Sequence, residues 1–439
     1  MGKSYRPYLP EQDFLLPPSL RDWLPENHLA YFVSDLVDQL NLSAIESVYE
    51  KDWRGQPPYH PRLMTKLLVY GYAVGVRSSR RIAKALVEDI AFRVLAAGNE
   101  PDFRTISDFR KIHLKALEQL FSQVLRVALE AGAMRLGQVA LDGTKVKANA
   151  SKHKAMSYGR IQQTEQKIEQ GVKQILAEAE ALDAAEDARY GSANSGEELP
   201  AELQRRQTRL QKIREAKQAL EQRAREKAEA EDKPAEQVER AKPKEKDQYN
   251  FTDPESRILK GAEGFVQGFN AQAAVEPDLQ LIVGQTVTQA ANDKQQLRPL
   301  VEAVEQQAGQ RPTQVLADSG YCSEKNLTYL ESAGEPENKI EAYIATERQK
   351  HGEQAEPAKR GPLPQGASGV EKMKRRLQTK AGKKIYAQRK AIVEPVFGQI
   401  KHCRGIRQFL LRGLEKVRGE WAMVCLTHNI LKMHRVCYG

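Results

Sequence analysis

Residues 138–148 read QVALDGTKVKA, and this stretch decides the fold. Apolar and polar residues alternate, β-branched residues recur, and the pattern predicts a β-strand. One acid, Asp142, stands mid-strand between Leu141 and Gly143, where a charge has no evident structural use. The residues before it read as helix. Leu29, Phe32, Val33, Leu36 and Leu40 recur with helical period, and residues 63–74 form a buried apolar helix. Residues 105–132 run from Thr105, a candidate N-cap, to Gly132. A strand after so long a helical stretch predicts an α+β or α/β chain with an all-helical N-terminal domain.

The 439 residues allow two or three domains. Lys and Arg total 68 against 58 acids, a net charge of +10 that suits a polyanionic partner. Four cysteines (Cys322, Cys403, Cys425 and Cys437) are too few and too late for a disulfide framework, so a reducing cytoplasm is expected. The first residues lack an apolar signal core and no run approaches the length of a membrane-spanning helix, so a soluble, intracellular protein is expected.

Within the helical stretch, Ser78–Arg81 and Arg104–Lys111 begin short helices. They read either as a helix-turn-helix offering cations to a duplex or as a scaffold with a charged surface. Residues 1–27 are proline-rich and expected to be extended, and residues 55–61 form a Pro- and Gly-rich loop. Residues 160–232 change to Glu, Lys, Gln, Ala and Arg. Ile161, Ile168, Ile175 and Leu182 repeat every seven residues, and Leu203, Leu210, Ile213 and Leu220 form a similar stripe. This predicts an antiparallel coiled-coil helical hairpin turning at 191–196, followed by a charged linker.

Strands resume at 264–275 and 279–288, joined through Glu276-Pro277-Asp278. A helix is expected over 293–306, a short strand over 313–317, a helix over 323–333, a strand over 339–346 and a loop over the site at 347–370. An apolar helix over 421–434 closes the series; its Cys425 and His428, with His434 and Cys437, read as core packing rather than as a zinc site.

Residues 383–401, KKIYAQRKAIVEPVFGQIK, read as a basic helix carrying one acid, Glu394. Tyr386, Arg389 (or Lys390), Val393, Phe397 and Lys401 recur at helical spacing, and Glu394 and Lys401 share a face. Pro395 either interrupts this helix or opens a new segment. Glu394 is either a solvated ion-pair partner or a metal ligand. Asp318 ends the strand at 313–317, and strand ends are where α/β folds put ligand sites. Asp142, Asp318 and Glu394 are hard oxygen donors suited to Mg2+ or Mn2+ acting on a phosphodiester. Lys145 and Lys147 on one strand face, with Arg389, Lys390 and Lys401, would then hold flanking phosphates. Arg404, Arg407 and Arg412 serve phosphates as well or form a solvated basic face.

Five segments carry a resemblance: VALDGTKVKANAS (139–151), TDPESRILKG (252–261), GFVQGFNAQ (264–272), LADSGY (316–321) and YAQRKAIVEPVFGQIK (386–401). Together the chain resembles the DDE transposases of bacterial insertion sequences. The resemblance implies a ribonuclease-H-like mixed-sheet catalytic core in which Asp142, Asp318 and Glu394 are the catalytic, metal-binding acids. Tyr386, Arg389, Glu394 and Lys401 match the family's Tyr–Arg–Glu–Lys motif, except that four residues instead of three separate Arg389 from Glu394, which leaves Lys390 as the alternative. It further implies metal-dependent cleavage at terminal inverted repeats, attack of the freed 3′-hydroxyl on target DNA, and a homodimer bridging two ends. The expected setting is the nucleoid of a bacterial cytoplasm. The expected domains are 1–132 (helical, DNA-binding or dimerising), 133–159 with 249–439 (catalytic), and 160–248 (inserted coiled coil and linker). The hairpin reads as a dimer or DNA-end contact, or as a spacer. Two other readings are an inactive DNA-binding protein and a nuclease that cuts without joining strands.

Overall fold

The computed structural model describes residues 19–50, 57–190, 201–230, 233–261, 264–332, 339–347, 361, 364 and 366–439. The proline-rich start, the loop at 55–61, the turn at 191–196 and the loop at 347–370 lie wholly or partly outside them.

Among the described residues seven α-helices precede the first strand: α1 (Leu29–Gln39), α2 (Ser43–Glu46), α3 (Pro61–Ala73), α4 (Ser79–Glu88), α5 (Ile90–Leu95), α6 (Phe103–Ile112) and α7 (Leu114–Glu130). Pro61 opens α3 at a position where its missing amide costs nothing. The stretch expected as one helix from Thr105 is two. Asp102, not Thr105, caps α6, its Oδ1 accepting the amides of Arg104 (2.7 Å) and Thr105 (3.3 Å). The break falls at His113, whose Nε2 meets the Tyr49 hydroxyl at 2.9 Å and whose ring packs on Phe109.

The chain then alternates: β1 (Gln138–Lys147), β2 (Ala155–Ser157), α8 (Tyr158–Tyr190), α9 (Ala201–Ala230), α10 (Ala235–Glu239), β3 (Gln248–Asn250), β4 (Arg257–Gly261), β5 (Gly264–Val275), β6 (Ile282–Thr288), α11 (Leu297–Ala308), β7 (Gln314–Ala317), α12 (Glu324–Ser332), β8 (Glu341–Ile344), α13 (Gly369–Gln378), α14 (Lys380–Gly398) and α15 (Leu414–Tyr438). One mixed sheet runs β4-β5-β1-β7-β8, with β6 also paired to β5. The β1–β5 and β5–β6 pairs are antiparallel; β1–β7 and β7–β8 are parallel. Val315, Leu316 and Ala317 of β7 are fully buried, so this strand is apolar throughout because both of its faces are covered. Buried Glu276 closes the β5–β6 turn by accepting the amides of Asp278, Leu279 and Leu281 at 2.7–2.9 Å.

The last helix joins the two halves. From Val417 to Ile430 α15 is buried on nearly every side, packed between α3 and α7 and the strand β6. A Cβ on Gly419 would come within 2.6 Å of Leu114 Cγ, so glycine permits the close approach to α7. Trp421 donates its indole N–H to Gln272 O at 3.1 Å. Asn429 brackets Ile282, accepting its amide and donating to its carbonyl at 2.8 Å each, which covers a strand edge that would otherwise be unpaired. The helices α1–α7, the sheet and α15 thereby share one continuous apolar core.

Helices α8 and α9 run in opposite directions. Tyr158 and Ile161 of one meet Ile213, Ala216 and Leu220 of the other, and Glu165 pairs with Lys217 at 2.8 Å. Among the described residues no helix is long and apolar enough to cross a membrane.

Candidate active site

The parallel register of β1 on β7 ends at Leu141 opposite Ala317. The next residues on the two strands are Asp142 and Asp318. Neighbouring strands lie about 4.8 Å apart, so the two acids emerge side by side where β7 stops and β1 continues. Asp142 Oδ1 accepts the Gly143 amide and Asp318 Oδ1 the Gly320 amide, both at 2.8 Å, which fixes one oxygen of each carboxylate. Burial, and next the charge of Asp318, push the Asp142 carboxyl up to about 6; Arg389 and the Gly143 amide oppose them.

Helix α14 supplies the third acid. It runs unbroken through Pro395, because the carbonyl that proline leaves without an amide, that of Ala391, accepts Gln280 Nε2 at 2.9 Å. Arg389 is buried, with Nη1 3.5 Å from Asp142 Oδ2 and Nη2 3.6 Å from Glu394 Oε1. Glu394 is 53% exposed. The guanidinium at the acids is therefore that of Arg389, while Lys390 is exposed. Tyr386 lies one helical turn back; burial raises its hydroxyl and the neighbouring Arg389 lowers it.

The remaining cations divide. Lys145 reaches into the site, its ammonium 3.5 Å from Asp293, and burial pulls it below the ordinary lysine range against the attraction of that acid. Lys401, in a π-helical turn at Gln399–Cys403, donates to the Lys145 carbonyl at 3.0 Å. The side chain of Lys147 is exposed, and its backbone pairs with the segment at Arg407 and Phe409. Arg404 requires a correction. Its guanidinium turns inward to the carbonyls of Val424 (3.0 Å) and Tyr72 (2.9 Å) and to the Thr427 hydroxyl, and burial pulls it down to about 9. It ties α3 to α15 through both terminal nitrogens, and its unpartnered Nε is buried away from any phosphate.

Sequence reasoning missed Asp293. It was expected in a helix over 293–306, but α11 begins at Leu297 and Asp293 stands in the preceding turn, facing the site. Its Oδ1 accepts Asn270 Nδ2 and Gln272 Nε2 at 2.7 Å each. The Asn292-Asp293 pair between strand and helix is a turn signal that could have flagged it.

Asp142, Asp318 and Glu394 are oxygen donors from three elements, and burial together with the neighbouring Asp318 raises the Asp142 carboxyl. That donor set fits a hard divalent cation. Among the described residues no three ligands converge on a single point, and Glu394 pairs instead with Arg389.

Comparison with known families gives two matches. Residues 18–112 match a transposase domain, DUF772, and residues 240–430 match a transposase DDE domain. No curated protein and no solved structure matches. Asp318 and Glu394 fall inside the second match, while Asp142 is brought to them by a strand some hundred residues upstream of it. The chain belongs to the DDE transposases of insertion sequences.

Proposed function

We propose that the chain cleaves DNA at the ends of its insertion sequence in a metal-dependent reaction and joins the freed 3′-hydroxyl to target DNA. The observation that carries this is the adjacency of Asp142 and Asp318 at the end of the β1–β7 register, with Arg389 linking Asp142 to Glu394. Asp142, Asp318 and Glu394 would hold Mg2+ or Mn2+. When bound, such ions polarise the phosphodiester and lower the pKa of the attacking water or hydroxyl.

The chain's own groups do the rest. A DNA phosphate entering beside α14 offers Arg389 a bidentate partner in place of the two carboxylates. Glu394 is then free to turn toward Asp142 and Asp318, so substrate arrival and ligand closure are coupled. Lys145 and Lys401 flank the acids, and Tyr386, Lys390 and Lys147 line the approach.

The strand arrangement supports a ribonuclease-H-like core. Three antiparallel strands, β1, β5 and β6, are extended by two parallel ones, with acids on the first strand, at the end of β7 and on a late helix. We assign residues 1–132 to DNA binding or dimerisation, 133–159 with 249–439 to catalysis, and 160–248 to an inserted coiled coil and linker. We assign double-stranded DNA, as terminal inverted repeats and target, and a second copy of the chain as partners, in a cytoplasmic, nucleoid-associated setting. A labelled oligonucleotide carrying one end of the element tests the reaction. Cleaved and joined products in Mg2+ support it; cleavage without joined products reduces the protein to a nuclease, and neither product overturns the reading.

A further inference from the structure

Asp293 belongs to none of the family motifs quoted above, yet it is built into the site. Its Oδ1 takes two side-chain amides, Asn270 Nδ2 and Gln272 Nε2, both at 2.7 Å, and the Lys145 ammonium at 3.5 Å. Asn270 and Gln272 are fully buried on β5. Their register partners on β1 are Lys145 and Gly143, so the cluster lies on the strand flank next to Asp142.

Both amides are fixed in orientation. The buried Tyr321 hydroxyl donates to Gln272 Oε1, which leaves Nε2 to donate, to Asp293 and to Asn270 Oδ1 (2.9 Å). Asn270 Nδ2 also reaches the Ala290 carbonyl at 3.2 Å, in the turn leading to Asp293. Gly143 makes the space: a Cβ there would sit 2.9 Å from Asp293 Oδ1 and collide with Gln272 Nε2. The carboxylate is thus held at Oδ1 by two uncharged donors whose orientation is fixed, and Lys145 reaches that same oxygen. A free lysine loses rotamer entropy when a phosphate immobilises it, and an acid fixed in this way restrains the lysine before substrate arrives.

We infer that Asp293 is a positioning residue that holds the Lys145 ammonium beside Asp142 and Asp318, where it grips the phosphate carrying the scissile bond. The inference rests on the proposed cleavage reaction, but its test reads DNA binding as well as cutting.

The experiment compares wild type, Asp293→Asn, Lys145→Gln and the double variant on a labelled end duplex across a salt series, with Mn2+ titration of the DNA-free proteins as a second readout. Losing one phosphate contact reduces the slope of log K against log salt by about 0.9. Asp293→Asn is expected to show that reduction and to slow cleavage about tenfold, the scale of one lost charge-assisted contact. In the Lys145→Gln background Asp293→Asn is expected to change neither quantity, and Mn2+ affinity is expected to stay at the wild-type value. Equal losses in both backgrounds overturn the inference, because Asp293 then does not act through Lys145. A collapse of Mn2+ affinity in Asp293→Asn also overturns it, by making Asp293 a ligand. If wild type cuts no DNA, the proposed reaction fails, while the salt slopes still decide between Asp293 and Lys145.

Discussion

Arg389 is buried against Asp142, its Nη1 3.5 Å from Oδ2, and its second terminal nitrogen reaches out to Glu394. One guanidinium thus compensates a crowded, half-buried carboxylate and restrains an exposed one. Any divalent cation that uses Asp142 has to compete with it. Replacing Arg389 by Gln is expected to tighten Mn2+ binding to the DNA-free protein several-fold and to slow end cleavage at least tenfold, as one charged phosphate contact disappears. Calorimetric Mn2+ titration alongside a cleavage assay checks both. Unchanged metal affinity would remove Arg389 from its place as competitor.

Each of the three acids has a direct test. Asp142→Asn, Asp318→Asn and Glu394→Gln keep the side-chain shape and delete one anionic ligand. Cleavage is expected to fall by on the order of a thousandfold or more in each, while duplex affinity stays within a few-fold because the cations remain. Gel-shift and cleavage assays on the same duplex separate the two effects. An acid whose amide variant cuts at the wild-type rate is not a ligand.

The state of Asp142 gives a stability prediction. Its carboxyl sits at about 6 in the fold against an ordinary 3.8, so the native state binds more protons than the unfolded chain between these values. Stability contributed by this group therefore falls as pH rises through that window, and the cost is complete above it. Asp142→Asn removes the cost. The variant is expected to match wild type near pH 4 and to be more stable by on the order of 2–3 kcal/mol above pH 7, without added metal. Thermal melts over pH 4–8 check this; a constant difference between the two proteins would mean that Asp142 titrates normally.

A buried ion pair joins the early helices to the last one. Arg77 Nη1 lies 2.8 Å from Glu420 Oε1, and Glu420, fully buried, also accepts the amides of Leu410 and Leu411. Arg77→Met strands that carboxylate and is expected to cost about 3–5 kcal/mol. Lys115 and Glu415 bridge α7 and α15 at 3.0 Å in open solvent, so Lys115→Ala is expected to cost nothing measurable. Urea denaturation of both variants decides it; equal midpoints would show that the buried pair holds nothing together.

Much of this architecture was legible in the chain. Alternation located β1, β-rich composition located β5 and a short apolar run located β7, and acids on a strand, a strand end and a basic helix made Asp142, Asp318 and Glu394 the candidates. What escaped depended on distant partners. Arg404 reads as one more surface cation until α3 and α15 close around it. The choice between Arg389 and Lys390 turns on a rotation about the α14 axis that packing sets. Pro395 stays within a helix because Gln280, far off in sequence, satisfies the orphaned carbonyl. Asp293 was absorbed into a helix that begins four residues later: the Asn292-Asp293 turn signal could have placed it outside that helix, but its partners Asn270 and Gln272 lie on another strand.

The burial of α15 between the earliest helices and the sheet has a consequence for biosynthesis. Until residues 414–438 leave the ribosome, both apolar surfaces they cover stand open on the nascent chain. A product cut short upstream of Leu414 would be a substrate for chaperones and proteases, cleared before it could compete with intact protein for DNA.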